Sequence, residues 1–314
     1  MWYNECMKKV VAILIALMLP IFALIGCGNV ENPILFVTPD GAPALSVANL
    51  LQNEYEINGK TEYKVVQSAN VGNYFVTRRA DIGVLPLNLA TKMIDYQIVF
   101  VNTFGNLYIL ATEEVDISRI KGNTLYTINL NNVPGLTVRL ALTKCGIDYT
   151  MNESAGNSNN VVLKGVNASD LAGLFATGKI NYAVVAEPMC SKLMKINSNL
   201  KIIADIQNMY GEYPQSVLVV KKNKFTNAQV ENIIKIISQQ ILPNEAFDAI
   251  NAHLEIGIVS AFSKDIMSTE LINRCNIGVM RACENKDFIN EYIEKIINLQ
   301  PNSAQKLTDD RFFV

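Results

Sequence analysis

The chain has 314 residues, half of them hydrophobic, with 27 Lys and Arg against 29 Asp and Glu and a formal net charge of −2. That length suits one large or two medium domains, and a near-neutral chain without a long basic stretch excludes a charge-driven nucleic-acid partner. The single histidine, His253, has no neighbouring Cys or second His, so neither a metal site nor a histidine-dependent triad is expected, and no cofactor is implied. None of the six cysteines is in Cys-x-x-Cys spacing, which argues against a zinc ribbon or a dithiol redox motif. Cys275 and Cys283 are close enough in sequence to pair. Buried free thiols are nevertheless the expectation for Cys145, Cys190, Cys275 and Cys283.

The first element is a leader. Lys8 and Lys9 precede an apolar run from Val10 that ends in Leu24-Ile25-Gly26-Cys27. This resembles the bacterial lipobox, in which the leader is cut before the cysteine and the thiol is acylated. The resemblance implies a signal peptide over 1–26, lipidation at Cys27, a tether over 27–33 and residence on the extracytoplasmic face of the cell membrane. Acyl chains hold such a protein by about 0.8 kcal/mol per buried CH₂. The competing reading is an uncleaved span, but the run is short for the roughly 20 residues a helix needs, and Pro20 interrupts it. Translation is expected to start at Met7, because residues 1–6 place Trp2 and Glu5 ahead of a leader that is already complete.

Beyond the tether, Ile34–Val37 is an apolar run without alternation, the pattern of a strand buried on both faces. The turn Thr38–Ala42 leads to Pro43, which suits the first turn of a helix carrying Leu45, Val47, Leu50 and Leu51. Tyr63–Ser68 reads as a strand, and Asn70 opens a short helix. Ala80–Leu85 is a buried strand, Pro86–Asn88 the loop at its carboxyl end, and a helix follows to about Tyr96. The β-rich Gln97–Thr112 is broken at Thr103–Asn106, which reads as a crossing between lobes with Gly105 as a hinge.

From Leu125 the pattern restarts. Leu125–Leu142 echoes Ile34–Leu51 when Pro134 is set on Pro43, and Gly178–Pro188 echoes Arg78–Ala90 with Asn181 on Asp81 and Val184 on Val84. Asn152–Asn160 reads as a loop, Ser216–Lys221 as the return crossing, and the chain from Asn227 as mainly helical. The end, Gln300–Val314, reads as loosely structured with Phe312 and Phe313 docking. One module used twice points to an α/β protein of two similar lobes facing each other.

A lipobox, a strand-turn-Pro-helix, Ala80-Asp-Ile-Gly-Val-Leu-Pro-Leu-Asn88, and Asn181-Tyr-Ala-Val-Val-Ala-Glu-Pro188 together resemble the solute-binding lipoproteins of ABC importers. The nearest branch has the type II periplasmic-binding-protein fold and includes nitrate, sulfonate, taurine and thiamine-precursor binders. The resemblance covers roughly residues 34–222 plus the helical tail. It implies two lobes, two crossings and closure on a small ligand, with no catalytic residue. The implied division is lobe 1 over 34–104, lobe 2 over 105–215, and a return crossing with C-terminal helices, mainly on lobe 1, over 216–314. The partners implied are a small-molecule solute and the membrane permease subunits, with the protein a monomer.

Ligand capture between lobes needs backbone N–H groups and polar side chains converging from both sides, and strand ends followed by helix starts supply them. The candidate ligand-binding residues are Asp40, Gly41, Ala42, Asn70, Leu87, Asn88, Thr103, Asn131, Asn132, Gly135, Glu187 and Tyr213. Asn dominates these turns and no Arg sits in them, which favours a neutral, zwitterionic or weakly anionic organic solute over a dianion. Glu187 suits an amine or ring N–H, or else caps the turn at Pro188. Tyr213 and Tyr210 suit stacking on a ring, or else pack between the lobes. Asp40, a lone carboxylate in the first loop, suggests no paired-carboxylate mechanism and otherwise bonds its own backbone. Gly173–Ile180 falls short of a phosphate-binding loop, because Ile180 lacks a hydroxyl and the segment lies between a helix and a strand in the wrong order. The rival functions are an enzyme on the same fold, resembling menaquinone- or pyrimidine-pathway proteins, and a ligand-binding sensor or surface module.

Overall fold

Runs of β-branched and aromatic residues form twelve strands in a computed structural model that describes residues 32–151 and 159–314. The leader, Cys27 and most of the Asn152–Asn160 loop lie outside the described residues. The first sheet contains β1 (Ile34–Pro39), β2 (Thr61–Val66), β3 (Ile82–Pro86), β4 (Tyr96–Thr103), β11 (Ser216–Lys221) and β12 (Ile277–Arg281), in the order β2-β1-β3-β11-β4-β12. The second contains β5 (Leu107–Ala111), β6 (Thr124–Ile128), β7 (Tyr149–Thr150), β8 (Val161–Val166), β9 (Tyr182–Ala186) and β10 (Lys201–Asp205), in the order β7-β8-β6-β9-β5-β10. Each sheet has a parallel triplet, β2-β1-β3 or β8-β6-β9, extended by an antiparallel strand, β11 or β5. The triplets are the sequence echo in three dimensions. Val37 pairs with Gly83 where Tyr126 pairs with Ala183. The strand-to-helix connection ending at Pro134 is therefore two residues longer than the one ending at Pro43.

The chain passes from the first sheet to the second between β4 and β5 and returns ahead of β11. The two crossings touch. Gln215 N donates to Thr103 O at 2.9 Å, and Gln215 Nε2 donates to Asn106 Oδ1 at 2.9 Å. Gly105 has φ +98, and a Cβ there would lie 2.4 Å from Tyr213 Cε1, so only glycine fits both the backbone angle and the close approach. The largest hydrophobic cluster includes residues of both sheets, among them Val37, Leu85, Leu107, Leu125 and Val184, together with Tyr213 and Tyr292.

Helices cover the sheet faces. Ala42–Ser46 and Ala48–Asn53, separated at Val47, follow β1, and Pro243–Ala252 packs on the second of them. Val133–Lys144 follows β6 and packs against Ile206–Tyr210 and Lys286–Leu299. Lys286–Leu299 buries Ile289, Tyr292, Ile293 and Ile296, the i, i+3, i+4, i+7 stripe of an amphipathic helix.

Two sequence expectations are corrected here and a third is extended. Leu87 and Asn88 lie not in a loop but in a one-turn helix, Leu87–Ala90, which stops short of Tyr96, where β4 begins. The tail from Asn227 is mainly helical as expected, with four helices, and adds an unexpected strand, Ile277–Arg281, at the edge beside β4. Residues 300–314 are pinned rather than loose. Buried Arg311 donates to the carbonyls of Ala90, Thr91, Met93 and Tyr96, closing the end of the one-turn helix, and Phe312 is buried as expected. Among the described cysteines all four are free. Cys190 and Cys275 are buried as expected, Cys283 is half-buried, and Cys145 is exposed instead, on the polar end of its helix.

Candidate functional site

The turns after β1, β3, β6 and β9 leave the carboxyl ends of the two parallel triplets, where an open α/β sheet presents its binding groups. Two contacts bring these turns together across the lobes. A Cβ on Gly41 would lie 3.7 Å from Pro188 Cδ, so the turn after β1 meets the turn after β9. Asn88 Nδ2 donates to Asn132 Oδ1 at 3.3 Å, so the turn after β3 meets the turn after β6. Gly135 has its own local reason to be glycine, because a Cβ there would lie 2.1 Å from Leu130 O. Ala42 is buried at the start of its helix, and Leu87 belongs to the hydrophobic core.

Two carboxylates flank the Gly41–Pro188 contact, one from each lobe: Glu187 is buried and Asp40 half-buried. Asp40 accepts from Gly41 N at 2.8 Å and from Ala261 N at 2.6 Å. Glu187, 2% exposed, accepts from Ser191 N at 3.1 Å and Ser191 Oγ at 3.0 Å, and its Oε1 lies 2.9 Å from Arg274 Nε. Burial pushes both carboxyls above the usual carboxylate range. Backbone donors oppose the shift at Asp40, and the Arg274 charge opposes it at Glu187. Lys192, from the helix after Glu187, donates to Ser260 O at 3.0 Å, while Ser260 Oγ approaches Asp40 Oδ1 at 3.5 Å. The segment around Ser260 thereby touches a carboxylate of one lobe and an ammonium of the other.

Thr103 belongs to a buried polar chain beside the first crossing. Its hydroxyl lies 2.6 Å from Ser216 Oγ, Ser216 Oγ donates to Asn102 Oδ1 at 2.9 Å, and Asn102 Nδ2 donates to Ser46 Oγ at 2.6 Å. All four residues are buried. Such a chain specifies one arrangement of β4, β11 and the first helix, since an unpaired member would be costly there.

Asp40, Gly41, Asn88, Asn132 and Glu187 are thus brought to the contacts between lobes. Asn70 and Asn131 are exposed on their turns. Tyr213 is buried, stacked on Tyr292 at 5.7 Å between centroids and covered by Gly105, so its ring is occupied by the protein itself. His253 is a packing histidine, with Nε2 3.0 Å from Leu51 O and its ring against Tyr63. Sequence reasoning missed Arg274, Lys192, the Ser260–Ala261 segment and Ser303, whose carbonyl receives Asn88 Nδ2 at 3.4 Å. The turns contain no arginine, as read, yet Arg274 reaches Glu187 from a helix far along the chain, with no local signal in sequence. Among the described residues, no group of three or more His, Cys, Asp or Glu is placed to hold a metal ion, and no helix is long and apolar enough to cross a membrane.

No family model and no curated protein matches the sequence. Solved structures do match. An ABC transporter from Parabacteroides distasonis aligns with 90% of this chain and 99% of its own at TM-score 0.73 and 22% identity. The periplasmic aliphatic sulphonate binding protein SsuA of Escherichia coli aligns with 90% of this chain and 92% of its own, at TM-score 0.65 and 12% identity. The ligand binding component of an ABC-type import system from Staphylococcus aureus, with zinc bound, aligns with 90% and 97%, at TM-score 0.64 and 12% identity. The chain therefore has the two-lobed fold of periplasmic binding proteins, the fold these ABC-importer components share.

Proposed function

We propose that this protein is the solute-binding component of an ABC importer, held outside the cell membrane by a lipid on Cys27. It captures a small polar organic solute or oxyanion by closure of lobe 2 (105–215) on lobe 1 (34–104, with most of 216–314), and presents it to permease subunits as a monomer without chemical change. The candidate ligand groups are the twelve named from the sequence, of which Asp40, Gly41, Asn88, Asn132 and Glu187 meet across the lobes. The observation that carries the reading is this convergence: polar turns from the carboxyl ends of both sheets touch at Asn88–Asn132 and Gly41–Pro188. The fold shared with ABC-importer binding components supports it, and so does the leader ending in Gly26-Cys27.

A thermal-shift screen of soluble protein from Gly28 to Val314 tests the proposal. The panel contains thiamine precursors, sulfonates, nitrate, amino acids and flavins. A solute at 100 times its Kd adds about 2.7 kcal/mol of stability. One solute that raises the melting temperature and is recovered unchanged is the expected result. Recovery of a converted product would make the protein an enzyme on this fold, and a flat panel would count against solute capture.

A further inference from the structure

Among the described residues, two buried side-chain atoms lack a hydrogen-bond partner: Arg274 Nε, which still lies 2.9 Å from Glu187 Oε1, and Asn88 Oδ1. Asn88 is 1% exposed and sits where the lobes meet. Its orientation is fixed by chemistry. The carbonyl of Ser303 can only accept, so the amide nitrogen faces it at 3.4 Å, and Asn132 Oδ1 lies on the same nitrogen at 3.3 Å. Turning the amide over would set oxygen against the Ser303 oxygen. The unpartnered atom is therefore an acceptor, and a buried acceptor is costly until a donor reaches it.

The charged side chains at the other contact between the lobes, Gly41–Pro188, are already engaged. Arg274 faces Glu187, Lys192 donates to Ser260 O, and the Asp40 carboxylate takes two backbone N–H groups. An oxyanion with no hydrogen to donate would set its own oxygens against Asn88 Oδ1 and find these cations occupied. We infer that Asn88 Oδ1 orients the bound solute by accepting from it. The solute class is accordingly small polar molecules bearing an N–H or O–H donor, as in an amine, amide, ring N–H or hydroxyl, and not donor-free oxyanions. This inference rests on the solute-binding reading and narrows it.

Calorimetric titration and thermal shift of wild-type protein from Gly28 to Val314, with probes matched except for the donor, test the inference. Taurine is set against ethanesulfonate, and 4-amino-5-hydroxymethyl-2-methylpyrimidine against its O-methyl, N,N-dimethyl analogue, with nitrate as the smallest donor-free anion. The expected result is that a donor-bearing member binds at least tenfold tighter than its partner, that nitrate does not bind, and that Asn88→Leu abolishes the preference within the pair. The wild-type comparison stands even where Asn88→Leu does not fold. Binding of nitrate, ethanesulfonate or the methylated pyrimidine as tight as that of the donor-bearing probe overturns the inference and leaves solute capture standing, as does a folded Asn88→Leu that keeps the preference. No binding by any probe overturns the solute-binding reading, and this inference with it.

Discussion

Arg274→Ala removes the counter-ion from a carboxylate that cannot reach water. The Glu187 side chain has 0% exposure and Arg274 28%, with Nε 2.9 Å from Oε1. Removing one partner of a buried pair costs about 3–5 kcal/mol, since the remaining charge is stranded. Ser191 still donates to Glu187 through its N–H and hydroxyl, which places the expected loss near the lower limit, about 3 kcal/mol. At roughly 2 °C per kcal/mol for a domain of this size, the melting temperature of the soluble protein should fall by about 6 °C in calorimetry. Glu187→Gln in the same chain removes the stranded charge, so the double variant should recover most of the loss.

The pH dependence carries a sign. Burial already raises the Glu187 carboxyl above its ordinary value, and losing Arg274 raises it further. A carboxyl whose pKa is higher folded than unfolded contributes stability that is present at low pH and lost as pH rises through the folded pKa. The deficit of Arg274→Ala should therefore shrink as pH falls from 7 towards the ordinary Glu range. A loss under about 0.5 kcal/mol, the size of an ordinary surface change, would refute the reasoning, and so would a deficit that does not shrink in acid.

Three further outcomes are expected. Gly105→Ala forces a methyl to within 2.4 Å of the Tyr213 ring at φ +98 and should cost about 3 kcal/mol by denaturant unfolding, whereas Gly173→Ala, with nothing within 4 Å, should be neutral or slightly stabilising. In native protein a maleimide should modify Cys145 quickly and Cys190 and Cys275 hardly at all, because burial both shields those thiols and pushes them up; mass spectrometry of the adducts reads this. On the proposed lipidation, Cys27→Ser should move the full-length protein from the membrane fraction to the soluble fraction in a bacterial host, and unchanged fractionation would remove the lipid from the account.

The lobes were legible because each is written locally. The apolar runs at Ile34–Val37, Ile82–Leu85 and Tyr182–Ala186 have no alternation, as strands covered on both faces require, and Pro43 and Pro134 mark the helices that follow. Asp81, which anchors the echoed segment, is buried, accepts from Leu35 N at 3.2 Å and pairs with Lys224 at 2.6 Å; its counterpart Asn181 is exposed and needs no such partner. The same strand ends led to Asn88, Asn132 and Glu187. What meets them did not follow, because Arg274, Ser260 and Ser303 arrive from the tail, and a contact 87 residues away leaves no periodicity to read. Strand β12 was hidden for a related reason. All five of its residues are half-buried at an edge, so its short run carries no clear alternation among the surrounding helices. Tyr213 shows the converse case: an aromatic beside a crossing invites a ligand, but Tyr292 and Gly105 already enclose it.

The most direct test of solute capture between lobes is the distance between them with and without solute. Spin labels at the exposed Lys60 on the first lobe and Lys179 on the second, with Cys145 and Cys283 replaced by serine, report it by double electron–electron resonance. The account predicts a broad or longer distance distribution in free protein that collapses to one short distance when the solute identified by thermal shift is added, with the solute recovered unchanged. A distribution that is the same with and without a bound solute would contradict capture by closure.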